Sequence, residues 1–460
     1  MHKFKEFIDD ITNCNITDTD PFINSIYRVL NSGCEHAIHE LSKYLDADNF
    51  PNMQIYLSFI PKYNSNLQLP SEHQITRFWL IRFKCLQQCD LFNAKRFKRT
   101  SGIDITHGLN QQDHDSAYEN AICEFTQYEV DNQVLDTLEG QLRLINQVRK
   151  IYRMTSQGSH RTKKQRECKL HGSLYFQHRN SGTGTDAFSS LFSPVNTVDE
   201  ILVQDTSVFA SSTFPILVLL RAASNICKII YKQGDDLTTD MFVLETVKYF
   251  SMLLNIQLVT YTVIPLSRTE GLVEVVEGLE FSRIHSCSKL EKYIGTHSDV
   301  FIESLSTYSV ICYVLGIGDR NPGNMMVTAD GSFLHIDFSY VFGNDPKPFC
   351  AKISICRPIC EYLKKDARAY HAFITNSVDV FVKIRHSYGR IIAFWCLLIN
   401  SGIFKLDLNE AVRFAAERLM LDYSTADASR IFERNVKSSI GSTRTLVAHA
   451  INRIATLLRK

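Results

Sequence analysis

The chain has 460 residues, 45% of them hydrophobic and 22% charged, with 50 Lys and Arg against 49 Asp and Glu. This length predicts two or three domains, each with its own core, and the near-neutral balance offers no footing for a nucleic-acid partner, so any positive field must be local. Met1-His2-Lys3-Phe4-Lys5-Glu6 has no apolar signal region, and no segment nears ~18 uninterrupted apolar residues, which limits membrane contact to the periphery. The 13 cysteines are scattered, and the pairs Cys85/Cys89 and Cys356/Cys360 have no His or Cys partners nearby, as fits reduced cytosolic thiols better than zinc.

Residues 1 to about 110 repeat apolar positions at three and four residues, as in Ala37-Ile38, Leu41, Leu45, Met53, Ile55-Tyr56-Leu57 and Phe59-Ile60. Gly33 and Pro51 cut this pattern into short antiparallel units, and Ile75 to Phe83 adds another with cationic flanks. The texture is that of stacked helical pairs without a strict repeat, which predicts a short all-α, solenoid-like domain over residues 1–115. A long helical pattern follows through Val134, Leu135, Leu138, Leu142, Leu144, Ile145, Val148 and Ile151. Thr155 to Thr185 is basic and rich in Ser and Gly, with Arg161-Thr-Lys163-Lys164-Gln-Arg166 within it, and reads as a solvated loop. Residues 116–194 therefore form a linker helix and loop.

Apolar runs of period two come next. Strands are predicted at Ile201-Leu-Val203, Val208-Phe209, Ile216 to Leu220, Ile226 to Tyr231, Leu258 to Val263 and Gly271 to Val276, with a helix from Asp240 to Leu254. A small, mostly β lobe over 195–277 then gives way to a helical lobe over 278–460. The predicted fold class is α+β: a bilobal unit behind an all-helical domain.

In the second lobe Gly316-Ile-Gly318-Asp319-Arg320-Asn321-Pro322-Gly323-Asn324 is followed by His335-Ile336-Asp337-Phe338-Ser339. An acid, an amide five residues on and a second acid thirteen beyond it is the pattern kinases place around metal-bound ATP. Asp319 would lie on a catalytic loop, and Asn324 and Asp337 would grip the Mg2+ (or Mn2+) ions that bridge the phosphates.

Three segments, in order, resemble the landmarks of the phosphatidylinositol 3- and 4-kinases, whose catalytic domain is protein-kinase-like. Tyr231-Lys232-Gln-Gly234-Asp235-Asp236-Leu237-Thr-Thr-Asp240 resembles their lysine segment, K-x-G-D-D-L-R-Q-D. Gly316 to Arg320 is similar to their catalytic loop and His335 to Phe338 to their metal-binding segment; the resemblance runs through residues 195–460 and, more weakly, back to Ala37. It implies that Lys232 reaches the α-phosphate and pairs with Asp240, where the plain structural reading is a surface lysine beside an acidic helix start. Ser211 and Ser212, in the turn Ser211-Ser212-Thr213-Phe214-Pro215, would cradle the β- and γ-phosphates. Gly271 to Val276 resembles the hinge strand, where the Glu274 carbonyl and the Val276 N–H would bond adenine between walls from Ile230, Met326 and Ile336, residues that alone read as core.

Departures from the pattern bear on activity. The family's D-R-H reads Asp319-Arg320-Asn321 here, and an amide cannot act as a base, although it can donate to a phosphate oxygen. Ser339 stands at the usual D-F-G glycine, narrowing the backbone freedom of that turn, and Thr238-Thr239 replaces Arg-Gln. Asp319 is expected to take the proton by itself, with His335 packed beneath the loop.

Gly343-Asn-Asp345-Pro346-Lys347-Pro348 resembles the activation loop of class III phosphatidylinositol 3-kinases, which convert phosphatidylinositol to its 3-phosphate. Lys347, Lys352 and Arg357 are the cations there, and so few suit an unphosphorylated head group. Near the C-terminus Val447, Ala450, Ile451, Ile454, Leu457 and Leu458 make an apolar stripe beside Arg444, Arg453, Arg459 and Lys460, fit either for an anionic lipid interface or for packing onto the lobe. The family's C2 domain is expected to be absent, because too few residues precede the helical segment. The resemblance implies a phosphatidylinositol-containing membrane, a protein-kinase-like scaffold subunit and a coiled-coil subunit as partners, and a cytoplasmic location on endosomal or autophagic membranes. The expectation is a compact class III enzyme. Asn321 and Ser339 leave open a weak or silent membrane scaffold, and a 4-kinase is a third reading.

Overall fold

The structure, a computed structural model, describes residues 132–156, 166, 188–189, 197–211, 213–222, 225–267, 269–344, 352–400 and 406–440. The expected helical domain over 1–115, most of the basic loop, Ser212, Lys347 and the C-terminal stripe lie outside the described residues. Two compact units divide the chain: one runs to Thr238 and takes in Thr262–Val275, and the other comprises Thr239–Tyr261 and the chain from Val276 onward.

In the first unit a 25-residue helix α1 (Asn132–Ser156) is followed by the short pair β1 (Phe188–Ser189) and β2 (Thr197–Val198). A five-stranded antiparallel sheet then forms from β3 (Glu200–Val208), β4 (Ile216–Ala222), β5 (Asn225–Gln233), β6 (Val263–Ser267) and β7 (Glu270–Glu274), in the order β3-β4-β5-β7-β6. Alternation decides its faces. Ile216, Val218, Leu220, Ile229, Tyr231, Leu266 and Leu272 share one core with Leu144, Ile145, Val148, Ile151 and Tyr152 of α1. Ile230 and Lys232, one residue out of phase, fall on the opposite face, with Lys232 across from Gly271.

Two strand expectations change. The separate runs at 201–203 and 208–209 are a single strand, β3, with an irregularity between Leu202 and Ser207. The strand expected over Leu258 to Val263 begins only at Val263. The polar groups of this segment bond elsewhere: the Val259 carbonyl accepts from the Tyr308 hydroxyl and the Tyr261 hydroxyl accepts from Asp337 N–H. Val276 likewise lies beyond the end of β7 at Glu274.

The second unit takes in α2 (Thr238–Leu254) from Thr239 onward and continues through β8 (Leu279–Glu280), α3 (Cys287–Ile294), α4 (Ser298–Leu315), β9 (Met325–Val327) and β10 (Phe333–His335). Among its described residues five more helices follow: α5 (Arg357–Lys365), α6 (Ala367–His386), α7 (Tyr388–Asn400), α8 (Leu408–Arg418) and α9 (Thr425–Ser439). α4 is its axis, buried almost all round. The hydroxyls this costs in desolvation are satisfied locally: Ser304, Ser306 and Thr307 bond back to the carbonyls of Val300, Ile302 and Glu303 at 2.7, 2.6 and 2.8 Å. Ser304 Oγ also accepts from Phe333 N–H at 2.8 Å, tying β10 to the helix. β10, β9 and β8 form a small antiparallel sheet that carries the residues on either side of the predicted site.

Candidate active site

Helix α4 must stop for the catalytic loop to begin. Gly316 adopts the left-handed conformation (φ 57°, ψ 40°) and its N–H faces the Cys312 and Tyr313 carbonyls, while Ile317 N–H returns to Cys312 O at 3.0 Å. A Cβ here would come within 2.2 Å of Phe414 Cζ, so both conformation and space demand glycine. Three residues on, Asp319 is also left-handed (φ 48°), a region that Asp tolerates better than most side chains.

Asn321 stabilises this turn. Its Oδ1 accepts from Gly323 N–H at 2.8 Å, capping the one-turn 3-10 helix Pro322–Asn324, and its Nδ2 lies 3.3 Å from the Asp319 carbonyl and 3.4 Å from Asp319 Oδ2. The amide expected to face phosphate is thus bonded within the loop, beside the carboxylate expected to act as base. Asn324 Nδ2 donates to the same Asp319 carbonyl at 2.9 Å, and among the described residues Asn324 Oδ1 accepts no hydrogen bond.

The metal-binding segment is knitted to this loop. Ile336 N–H donates to Asn324 O at 3.1 Å, and His335 Nδ1 lies 3.2 Å from that oxygen. Arg320, 8% exposed, donates from Nε to Gly318 O at 2.8 Å, from Nη1 to Ile336 O at 2.9 Å and from Nη2 to Asp337 O, with its guanidinium 5.2 Å from the Phe338 ring centre. One planar cation therefore holds carbonyls from both segments. Asp337 is left-handed (φ 60°); its N–H donates to Tyr261 Oη at 3.2 Å and its Oδ1 accepts from Ser339 Oγ at 3.0 Å. Ser339 itself is not left-handed, so this turn does not need the glycine it lacks.

Asp240, in the first turn of α2, accepts from Phe338 N–H at 2.9 Å. Its carboxylate thus supports the metal-binding segment, a task the sequence did not suggest, since the expected partner was Lys232. Tyr261 is buried beside it. Burial first, and then the Asp240 charge, hold the Tyr261 phenol well above its ordinary pKa, so it stays protonated. His335, 2% exposed and packed edge-on against Phe333 and Tyr308, is pushed down to about 3, mainly by burial and next by the Arg320 charge. It is neutral beneath the loop, as expected, and is no base for surface chemistry.

The other predicted residues divide between the units. Asp319, Asn321, Asn324, Met326, Ile336, Asp337 and Asp240 lie in the second, together with Val276; Ser211, Ile230, Lys232 and Glu274 lie in the first. Ser211 is exposed in the β3–β4 turn, where its N–H donates to Phe209 O at 3.1 Å. Glu274 is bonded to Thr262 twice, through its N–H (2.9 Å) and its carboxylate (2.8 Å). Lys352 is exposed, and Arg357, 75% exposed at the start of α5, pairs with Glu361 at 2.7 Å. Sequence reasoning passed over Arg320 as a positioning group and missed Tyr261, which lay inside a segment assigned to a strand.

The donor set suits a hard divalent cation. Asp337 offers carboxylate oxygens and Asn324 an amide oxygen, and no group of three or more His, Cys, Asp or Glu among the described residues could hold a metal alone. Mg2+ is commonly held in this way, by one or two protein oxygens with phosphates and water completing the octahedron.

A family model described as phosphatidylinositol 3- and 4-kinase matches residues 281–408, the stretch that contains both segments. A protein of Encephalitozoon cuniculi named probable phosphatidylinositol 3-kinase VPS34 homolog is 43% identical over 459 residues, covering 97% of this chain and 98% of its own length. The chain belongs to the phosphatidylinositol 3- and 4-kinase family. Other family members align over less. The phosphatidylinositol 3-kinase nodule isoform of Glycine max is 28% identical over 56% of this chain and 35% of its own length. The phosphatidylinositol 3-kinase VPS34 of Saccharomyces cerevisiae is 25% identical over 76% of this chain and 43% of its own. Lipid kinases of this family use ATP with a divalent metal ion, which fits the donor set of Asn324 and Asp337. No helix among the described residues is long and apolar enough to cross a membrane.

Proposed function

We propose that this lipid kinase transfers the γ-phosphate of ATP to the 3-hydroxyl of phosphatidylinositol at a membrane surface. The observation that carries the proposal is the joining of the two segments: Asn324 holds the Asp319 backbone, Arg320 holds the Ile336 and Asp337 carbonyls, and Asp240 holds Phe338 N–H. Positioning of this kind is most of what phosphoryl transfer asks of a protein. The name of the E. cuniculi relative supports the 3-kinase assignment.

Bound Mg-ATP (or Mn-ATP) supplies an electron-poor phosphorus whose surrounding charge is partly neutralised. Asp319 accepts the proton as the inositol hydroxyl forms its bond to phosphorus and the bond to the ADP oxygen breaks. Asn321 Nδ2 orients the Asp319 carboxylate, and Asn324 with Asp337 would hold the cation. Lys232, Ser211 and Ser212 would bind the phosphates. Glu274 and Val276 would bond adenine between Ile230, Met326 and Ile336, and Lys347, Lys352 and Arg357 would face the lipid head group. Accommodation of Asn321 as a cap and of Ser339 without left-handed backbone supports an active enzyme over a silent scaffold. Endosomal or autophagic membranes, with a protein-kinase-like scaffold and a coiled-coil subunit, are the setting we assign.

The test is purified protein with phosphatidylinositol vesicles and Mg-ATP, with the regioisomers of the product resolved. Phosphatidylinositol 3-phosphate is expected from the wild type and none from Asp337→Asn, whose thermal midpoint should match the wild type. Equal product from both would overturn the assignment, and a 4-phosphate product would transfer it to the 4-kinase reading.

A further inference from the structure

The turn between β3 and β4 is fastened from behind by helix α1. Phe209 N–H donates to Pro215 O at 2.8 Å, closing the turn, and within it Phe214 is left-handed (φ 50°), an unfavourable conformation for a bulky side chain that its surroundings must impose. Tyr152 of α1, 7% exposed, donates its hydroxyl to the Thr213 carbonyl at 2.8 Å. The guanidinium of Arg166 lies 4.0 Å from the centre of the Phe214 ring. On its other side Thr213 rests against Gly234, where a Cβ would come within 2.9 Å of Thr213 Cγ2 and where φ is +94°. Thr213 is thus held by its carbonyl from α1 and by its methyl from the lysine segment.

The same helix face reaches the strand that carries Lys232. The rings of Tyr152 and Tyr231 lie 5.1 Å apart, and Tyr231 Oη donates to Glu270 Oε1 at 2.6 Å. Arg149, three residues before Tyr152 and hence on the same face, grips both oxygens of Glu270 at 2.6 and 3.0 Å. This is a bidentate, largely buried pair, stronger than a surface one. Core packing alone would need neither the hydroxyl aimed at a turn carbonyl nor the fork on Glu270.

We propose that Tyr152 is a positioning residue for ATP: through the Thr213 carbonyl it sets where the phosphate-covering turn lies, while Arg149 sets the neighbouring strand. The linker helix thereby becomes a component of nucleotide affinity. The inference rests on reading residues 211–215 as that turn, as under the proposed function.

The test compares wild type with Tyr152→Phe and Arg149→Gln, measuring KM for ATP, kcat, KM for phosphatidylinositol and, independently of turnover, the Kd for Mg-ATP. Loss of one hydrogen bond should raise the ATP constants about three- to tenfold in Tyr152→Phe and in the same direction in Arg149→Gln, with the lipid KM and kcat within about twofold of wild type. Tyr249→Phe is the control, because it removes a buried hydroxyl bonded to Arg390 O at 3.3 Å in the other unit and should lower the thermal midpoint alone. Thermal midpoints that fall while both ATP constants stay put would overturn the proposal and leave the kinase reading intact. A wild type that binds no Mg-ATP would overturn both. Should Tyr152→Phe not fold, Arg149→Gln carries the same decision.

Discussion

Asn321 occupies the position where the family pattern has a histidine, and its geometry explains how an amide serves there. One end caps the turn at Gly323 and the other approaches Asp319, so in the proposed mechanism it acts by holding the acid rather than by titrating. Asn321→Ala should lower kcat roughly 10- to 100-fold, the range for a hydrogen bond to a charged group, and reduce stability by about 1 kcal/mol for the lost cap. An unchanged kcat in steady-state assays would remove Asn321 from the catalytic apparatus. His335 gives a pH prediction. Its folded pKa of about 3 lies below the ordinary 6.5, so between these values the unfolded chain binds a proton that the folded chain does not. Its contribution is complete above pH 6.5 and is lost as pH falls toward 3, at a limiting slope of about 1.4 kcal/mol per pH unit. Denaturant midpoints measured from pH 7 to pH 5 should fall less steeply in His335→Gln than in wild type.

At the scale of elements, the end of α4 decides where the catalytic loop starts, and Phe414 of α8 is wedged into that end. Gly316→Ala combines left-handed strain with overpacking against this ring, for a cost of about 2–4 kcal/mol. The double variant Gly316→Ala/Phe414→Leu should recover part of it, since the two side chains compete for the same space. Chemical denaturation reads both, and strict additivity would show that the ring is not the obstacle. The helix Thr238–Leu254 and the strands at 216–222 and 225–233 were legible in the sequence because their apolar periods are uninterrupted. The segment over 258–263 misled because its alternation is met without a ladder: the Val259 carbonyl accepts from Tyr308 and the Tyr261 hydroxyl from Asp337 N–H.

For the whole molecule, the proposed nucleotide binding is read through stability. Saturating Mg-ATP should raise unfolding free energy by ~2.7 kcal/mol at a hundred times its Kd. ATP with chelator should give a smaller rise, and Asp337→Asn should respond equally with and without Mg2+. A thermal-shift series reads all three, and a metal-independent shift in wild type would detach Asn324 and Asp337 from the cation.

By itself the sequence determined the chemistry. Phosphoryl transfer needs an acid, an amide and a second acid of defined type, and the short β9–β10 hairpin between Asn324 and Asp337 keeps them close along the chain, so type and spacing survive as a readable pattern. Tertiary structure alone decided what holds these groups still. Asp240 meets Phe338 across 98 residues and Tyr152 meets Thr213 across 61. Arg320 spends its side chain on backbone carbonyls, which have no sequence identity to read. Hydrogen bonds between residues so far apart impose no local period or spacing, and they become visible only once the chain has brought their partners together.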